Sequence, residues 1–171
     1  MTAPTTHELI ERLRQGGHDA FSPLFERYCR RLAVMIHYKL YPGKRRPDDV
    51  EEVLKETFSH GLRELNMFQN DVHCSFLNWL SRIADSVIID CASKDAGSGA
   101  PVNILIERED VKAFIQNLDS LSEQHRQVIL LAKIEGLSTR EMADHLGEPE
   151  ESIALKLRQA MQYFRTLDDW D

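Results

Sequence analysis

The chain has 171 residues, 42% of them hydrophobic and 8% aromatic, which is enough to bury a core in one domain or in two small modules. Its 21 Lys and Arg stand against 28 Asp and Glu, a formal net charge of -7. That balance excludes a protein that coats nucleic acid by bulk charge alone and leaves room only for a local basic patch.

From Ala20 the apolar residues Phe21, Leu24, Phe25, Tyr28, Leu32, Met35 and Ile36 recur at three- and four-residue steps, which predicts one helical face running to about Leu40. YPGKRRP then breaks the helix, because Pro42, Gly43 and Pro47 all resist its continuation. Asp48 is read as the next N-cap with Glu51 as its capping-box partner, and Val50, Val53, Leu54, Phe58, Leu62 and Leu65 line the helix that follows. A third helix starts near Ser75 and carries Phe76, Leu80, Ile83, Ala84, Val87 and Ile88. Three such stripes can enclose one core. ASKDAGSGAP, from Ala92, has no apolar period and marks a domain boundary.

Beyond it, IERED opens a short helix with Val111, Phe114 and Ile115, and Ser122 caps another that carries Val128, Ile129, Leu131 and Ala132 to a stop at Gly136. Ser138 caps REMADHL with Glu141 closing a capping box, and Gly147 ends that helix in a left-handed conformation. EPE leads into a final helix with Ile153, Leu157, Ala160 and Phe164 inward. No strand alternation of useful length occurs. The expected fold is all-α, two small helical modules joined by a short flexible linker. The divisions are residues 1–18, a flexible N-terminus and short helix; 19–94, the first module; 95–106, the linker; and 107–171, the second module.

Ala143, Gly147 and Ile153 supply what a helix-turn-helix needs: a small residue at the helix crossing, a glycine in the turn, and a branched apolar residue to lock the angle. The same spacing also suits an ordinary helical hairpin, so context has to decide. DAFSPLFERYCRRL, DVEEVLKETFSHGLRELNMF and SFLNWLSRIADSVIID resemble, in order, the conserved-region-2 helices of the extracytoplasmic-function (group four) sigma factors of bacterial RNA polymerase. LDSLSEQHRQVILLAKIEGLSTREMADHLGEPEESIALKLRQAM is similar to their region 4. The resemblance spans Asp19 to about Leu167.

The resemblance implies that the helix from Asp49 to Leu65 docks on the coiled-coil clamp of the largest catalytic subunit through Asp49, Glu52, Glu56 and Phe58. An acidic amphipathic helix suits a basic coiled coil, although carboxylate-rich faces are more often simply solvated. It also implies that the stretch from Asn66 to Phe76 and the helix after it capture a flipped base and read the minus-ten element. Candidates there are Phe68, Asn70, Asp71, His73, Asn78 and Arg82, since extruded bases need stacking surfaces and hydrogen-bonding edges, and Lys94, after Asp90, is a DNA-binding candidate left for phosphate contact. Trp79 is assigned to the core. In the second module Thr139, Arg140, Glu150, Ser152, Lys156 and Arg158 are the candidates for the minus-thirty-five element.

The chain departs from the family pattern in its charge. Asp85 and Ser86 replace a common Arg-Asn pair, and residues 96–171 hold eight Lys and Arg against fourteen Asp and Glu, a net of -6. Intrinsic DNA affinity is therefore expected to be low and weakly salt dependent. Glu150 and Glu151 at a helix start can serve the macrodipole alone, and one glutamate can also accept from cytosine's amino group.

No run approaches membrane-spanning length, and MTAPTTHELIERLRQ lacks the basic start and apolar middle of a signal peptide, so a cytoplasmic protein is expected. Cys29, Cys74 and Cys91 show no CxxC spacing, and the histidines show no paired metal-ligand spacing. Nucleotide loops, nucleophile elbows and HExxH are missing, so neither catalysis nor a cofactor is expected. The resemblance implies a sigma factor that binds core RNA polymerase and promoter DNA and answers to an anti-sigma factor. The alternative is a sigma-like protein that binds an anti-sigma factor and has lost independent DNA reading.

Overall fold

A computed structural model describes residues 3–40, 48–69, 75–93 and 108–163, without the side chains of residues 48, 49, 92, 93 and 163. The chain divides into two units, Met1–Glu107 and Arg108–Asp171. Every regular element among the described residues is helical.

The first unit is built from α1 (Thr6–Arg14), α2 (Phe21–Leu40), α3 (Asp48–Arg63) and α4 (Phe76–Ser93). Thr5 accepts from the Glu8 backbone N–H at 3.3 Å while the Glu8 carboxylate accepts from the Thr5 N–H at 2.7 Å, a full capping box that fixes the start of α1. Leu9 and Ile10 of α1 are buried with Leu24, Leu32, Ile36, Leu54 and Leu80. Within residues 1–18, read as a flexible N-terminus and short helix, the helix packs Leu9 and Ile10 into the core. With Leu13 they give three apolar residues at helical spacing, a period that covers little more than one turn.

α3 begins at Asp48 itself, one residue earlier than an N-cap at that position would allow, and it ends at Arg63 before a 3-10 turn, Leu65–Met67. Buried Thr57 donates to the Val53 carbonyl at 2.7 Å, which satisfies its hydroxyl inside the helix. Gly61 permits the close crossing of α3 and α4: a Cβ there would lie 2.9 Å from Leu80 Cδ2, and Leu80 is itself only 1% exposed. Gly61→Val should therefore destabilise the unit by about 1–3 kcal/mol, the usual range for overpacking. A urea melt with an unshifted midpoint would show that the helices can part at no cost.

The second unit holds α5 (Glu109–Asp119), α6 (Glu123–Ile129), α7 (Thr139–Leu146) and α8 (Glu150–Tyr163). Ser122 caps α6 by accepting from the His125 N–H, as its position predicts. The helix then continues as a π-helical turn, Leu130–Ile134, which nothing in the apolar period announces. Leu118, Ile129, Ile134, Met142 and Ile153 form the buried centre. The stretch expected as a linker, 95–106, lies outside the described residues.

Candidate functional site

On α3, Glu52 and Glu56 are exposed one turn apart, so both carboxylates share a face. His60 Nε2 lies 3.8 Å from Glu56, and Lys55 pairs with Glu51 at 3.0 Å. Phe58 has a different position from the one its motif match implied. It is 5% exposed, edge-on to Phe21 at 6.2 Å and tilted against Phe25 at 4.7 Å. A ring so enclosed supports the acidic face from beneath and offers a partner almost no surface. The apolar surface on this helix comes instead from Leu62, 40% exposed, which the periodic reading had turned inward. The side chain of Asp49 lies outside the described residues.

The start of the expected base-capturing stretch and the helix that follows it meet in an aromatic cluster. Phe68 and Phe76 stand 5.3 Å apart, Trp79 lies 5.2 Å and 5.5 Å from them, and Tyr28 packs 5.2 Å from Phe76. Phe68 is buried, so its ring is committed to this cluster and is not a stacking platform for a base. Ser75 caps α4 by accepting from the Asn78 N–H at 3.2 Å. Asn78 and Arg82 then follow one turn apart, half-buried and exposed respectively. Asn70, Asp71, His73 and Lys94 lie outside the described residues. Asp85 accepts a hydrogen bond from Lys39 Nζ at 2.6 Å in an ion pair between α2 and α4.

In the second unit Ser138 accepts from the Glu141 N–H, and the Glu141 carboxylate accepts from the Ser138 N–H at 2.8 Å. Gly147 follows α7 at φ 66, the left-handed cap that residues with a Cβ adopt only at a cost. Ala143 and Ile153 are buried, which is the helix-turn-helix geometry.

Around the turn several candidate DNA contacts are already engaged. The Glu148 carboxylate accepts from Lys156 Nζ at 2.5 and 2.7 Å and from Ser152 Oγ at 3.0 Å. Those bonds, that from Lys156 foremost, hold its carboxyl below the usual carboxylate range. Thr139 Oγ1 donates to Glu150 at 2.8 Å. Arg140 and Arg158 are exposed, as are Glu150 and Glu151. Leu155 on the same helix is 52% exposed, an apolar side chain among these polar ones.

Among the described residues no group of three His, Cys, Asp or Glu could hold a metal ion, and no helix is long and apolar enough to cross a membrane. Cys29 is buried and Cys91 half-buried.

Residues 112–163 match the family described as Sigma-70, region 4. Across 92% of its length the chain is 25% identical to the ECF RNA polymerase sigma-E factors of Salmonella typhimurium and Escherichia coli K12, covering 91% of each. It is 24% identical to that of Haemophilus influenzae, again over 92% of both chains. Among solved structures, CnrH in complex with the cytosolic domain of CnrY aligns over 95% of this chain and 96% of that one, with 23% identity and a TM-score of 0.48. The capped helix pair with its glycine turn lies inside the segment that matches region 4. Over nearly its whole length the chain is similar to extracytoplasmic-function sigma factors.

Proposed function

We propose that this protein is a promoter-specificity subunit that binds core RNA polymerase, sets both helical units on promoter DNA and assists melting without catalysing a reaction. The observation that carries the reading is the pairing, in one chain, of an exposed acidic face on α3 with a capped helix-turn-helix whose turn glycine is left-handed. Polymerase supplies the effective concentration, so two individually weak DNA contacts act together. This arrangement suits the acidic C-terminal part of the chain, whose residues 96–171 carry a net charge of -6.

Reconstituted transcription with core polymerase tests it, and open complexes on a cognate promoter are expected. The polymerase-facing part is tested by Glu52→Lys with Glu56→Lys. Both side chains are exposed, so melting should move by no more than about 0.5 kcal/mol. Core affinity should fall about tenfold or more, because two like charges then meet a basic partner. Unchanged affinity in a pull-down titration would remove this face from the interface.

A second reading is favoured by the ion pair Lys156–Glu148, which engages a candidate DNA contact within the protein itself. On it, the protein keeps the fold, binds an anti-sigma factor and no longer reads DNA. Tight core binding without initiation across a random promoter library would select it.

A further inference from the structure

α1 precedes the region-2-like helices and was not assigned a part in promoter opening. Its last residue, Arg14, makes the contact that gives it one. The guanidinium donates to the Leu65 carbonyl from Nη2 at 3.0 Å and from Nε at 3.3 Å, and Nη2 also donates to the Phe68 carbonyl. Glu11, one turn back, pairs with Nη1 at 2.6 Å and aims the fork. The helix is fixed at its other end as well: Thr6 Oγ1 bonds Tyr28 Oη at 2.8 Å, and Arg27 donates to the Pro4 carbonyl at 2.8 Å.

The segment held by Arg14 is built in two layers. Leu65 and Phe68 are buried, while Asn66, Met67 and Gln69 are exposed, Met67 by 78%. Its backbone makes a 3-10 turn, with Met67 N–H bonded to the Glu64 carbonyl at 2.8 Å and Phe68 N–H to the Leu65 carbonyl at 3.2 Å. Such a turn has few bonds of its own, and Arg14 ties together two of its carbonyls that are three residues apart. His7, Ile10, Arg14, Asn66, Phe68 and Gln69 line an open recess of about 430 Å³ at this junction.

We propose that Arg14 is a positioning residue for promoter melting: by bridging the Leu65 and Phe68 carbonyls it holds Asn66, Met67 and Gln69 in the orientation from which the separated strand is engaged. This rests on the promoter-opening reading above. A donor fork that spans two carbonyls is specific to arginine, since a lysine ammonium is a point charge on a flexible stem. The bridge adds rigidity where the turn meets DNA, so its loss acts on strand separation and not on assembly with polymerase.

The experiment uses holoenzyme made with full-length chain and a promoter carrying 2-aminopurine in the minus-ten element. Arg14→Ala should leave core affinity within about twofold and slow the fluorescence rise about tenfold, the scale set by losing charge-assisted hydrogen bonds. Arg14→Lys should recover part of the rate. Ile10→Ala, which removes buried bulk from the same helix but no donor, should open promoter at the wild-type rate below its melting temperature. Wild-type opening by Arg14→Ala overturns the proposal. So does equal slowing by Ile10→Ala, with no gain from lysine, because α1 would then act only through stability. Failure of the wild-type holoenzyme to open any promoter is a separate result that removes the underlying reading, and the role of Arg14 falls with it.

Discussion

Phe58→Ala is expected to destabilise the first unit by about 3–5 kcal/mol, the cost of emptying a phenylalanine site that cannot collapse. The ring is 5% exposed and packs on Phe21 and Phe25, so its removal strips α3 of both aromatic contacts with the start of α2. Total stabilities are commonly about 5–15 kcal/mol, so such a loss leaves little margin. Phe58→Leu, which keeps most of the volume, should lose much less. Urea unfolding of both variants measures the difference. If alanine behaved like wild type, the ring would not be a core element and its assignment to the polymerase surface would return. The contrast with Glu52→Lys and Glu56→Lys is the useful part: two changes on one helix should separate stability from binding, since one face of α3 is packed and the other charged.

The same helix shows what its sequence could and could not tell. Its apolar period correctly turned Val50, Val53, Leu54 and Phe58 inward, and the structure buries all four. The family resemblance then drew Phe58 outward, because a motif match records that a residue type recurs at a position without recording whether it contacts a partner or supports what does. Local signals were read most accurately. Ser122, the Ser138–Glu141 box and Gly147 act where their chemistry places them, since capping depends on only three or four neighbouring residues. The Arg14 bridge reaches residues 51 and 54 positions away, and the Lys39–Asp85 pair spans 46, separations for which a single sequence carries no period. The Phe68 ring follows the same logic: it was chosen as a base-stacking candidate for being aromatic, whereas its neighbours Phe76 and Trp79 become visible only after the chain has turned back.

The acidic turn before α8 was legible as a question, and the structure turns it into a measurable one. Glu148 engages Lys156 and Ser152, so a cation expected to face phosphate is neutralised within its own helix-turn-helix. Because these bonds lower the Glu148 pKa, their contribution is complete above the ordinary carboxylate range and disappears as pH falls through the lowered folded value. At neutral pH the pair is therefore fully formed. Glu148→Gln keeps the shape but removes the charge that holds the ammonium, leaving Lys156 available to a phosphate. Holoenzyme carrying it should bind promoter more tightly at low salt, and the slope of log affinity against log salt should steepen by about 0.9, the increment for one further phosphate contact. Adding Lys156→Gln should return the slope to its original value, because the released cation is then gone. Glu150→Gln with Glu151→Gln should change the slope only slightly, since removing a carboxylate weakens repulsion but supplies no new cation. A salt series on the four proteins decides the matter. Identical slopes for wild type and Glu148→Gln would mean that Lys156 does not face the DNA backbone, and the partner of α8 would have to be sought among proteins.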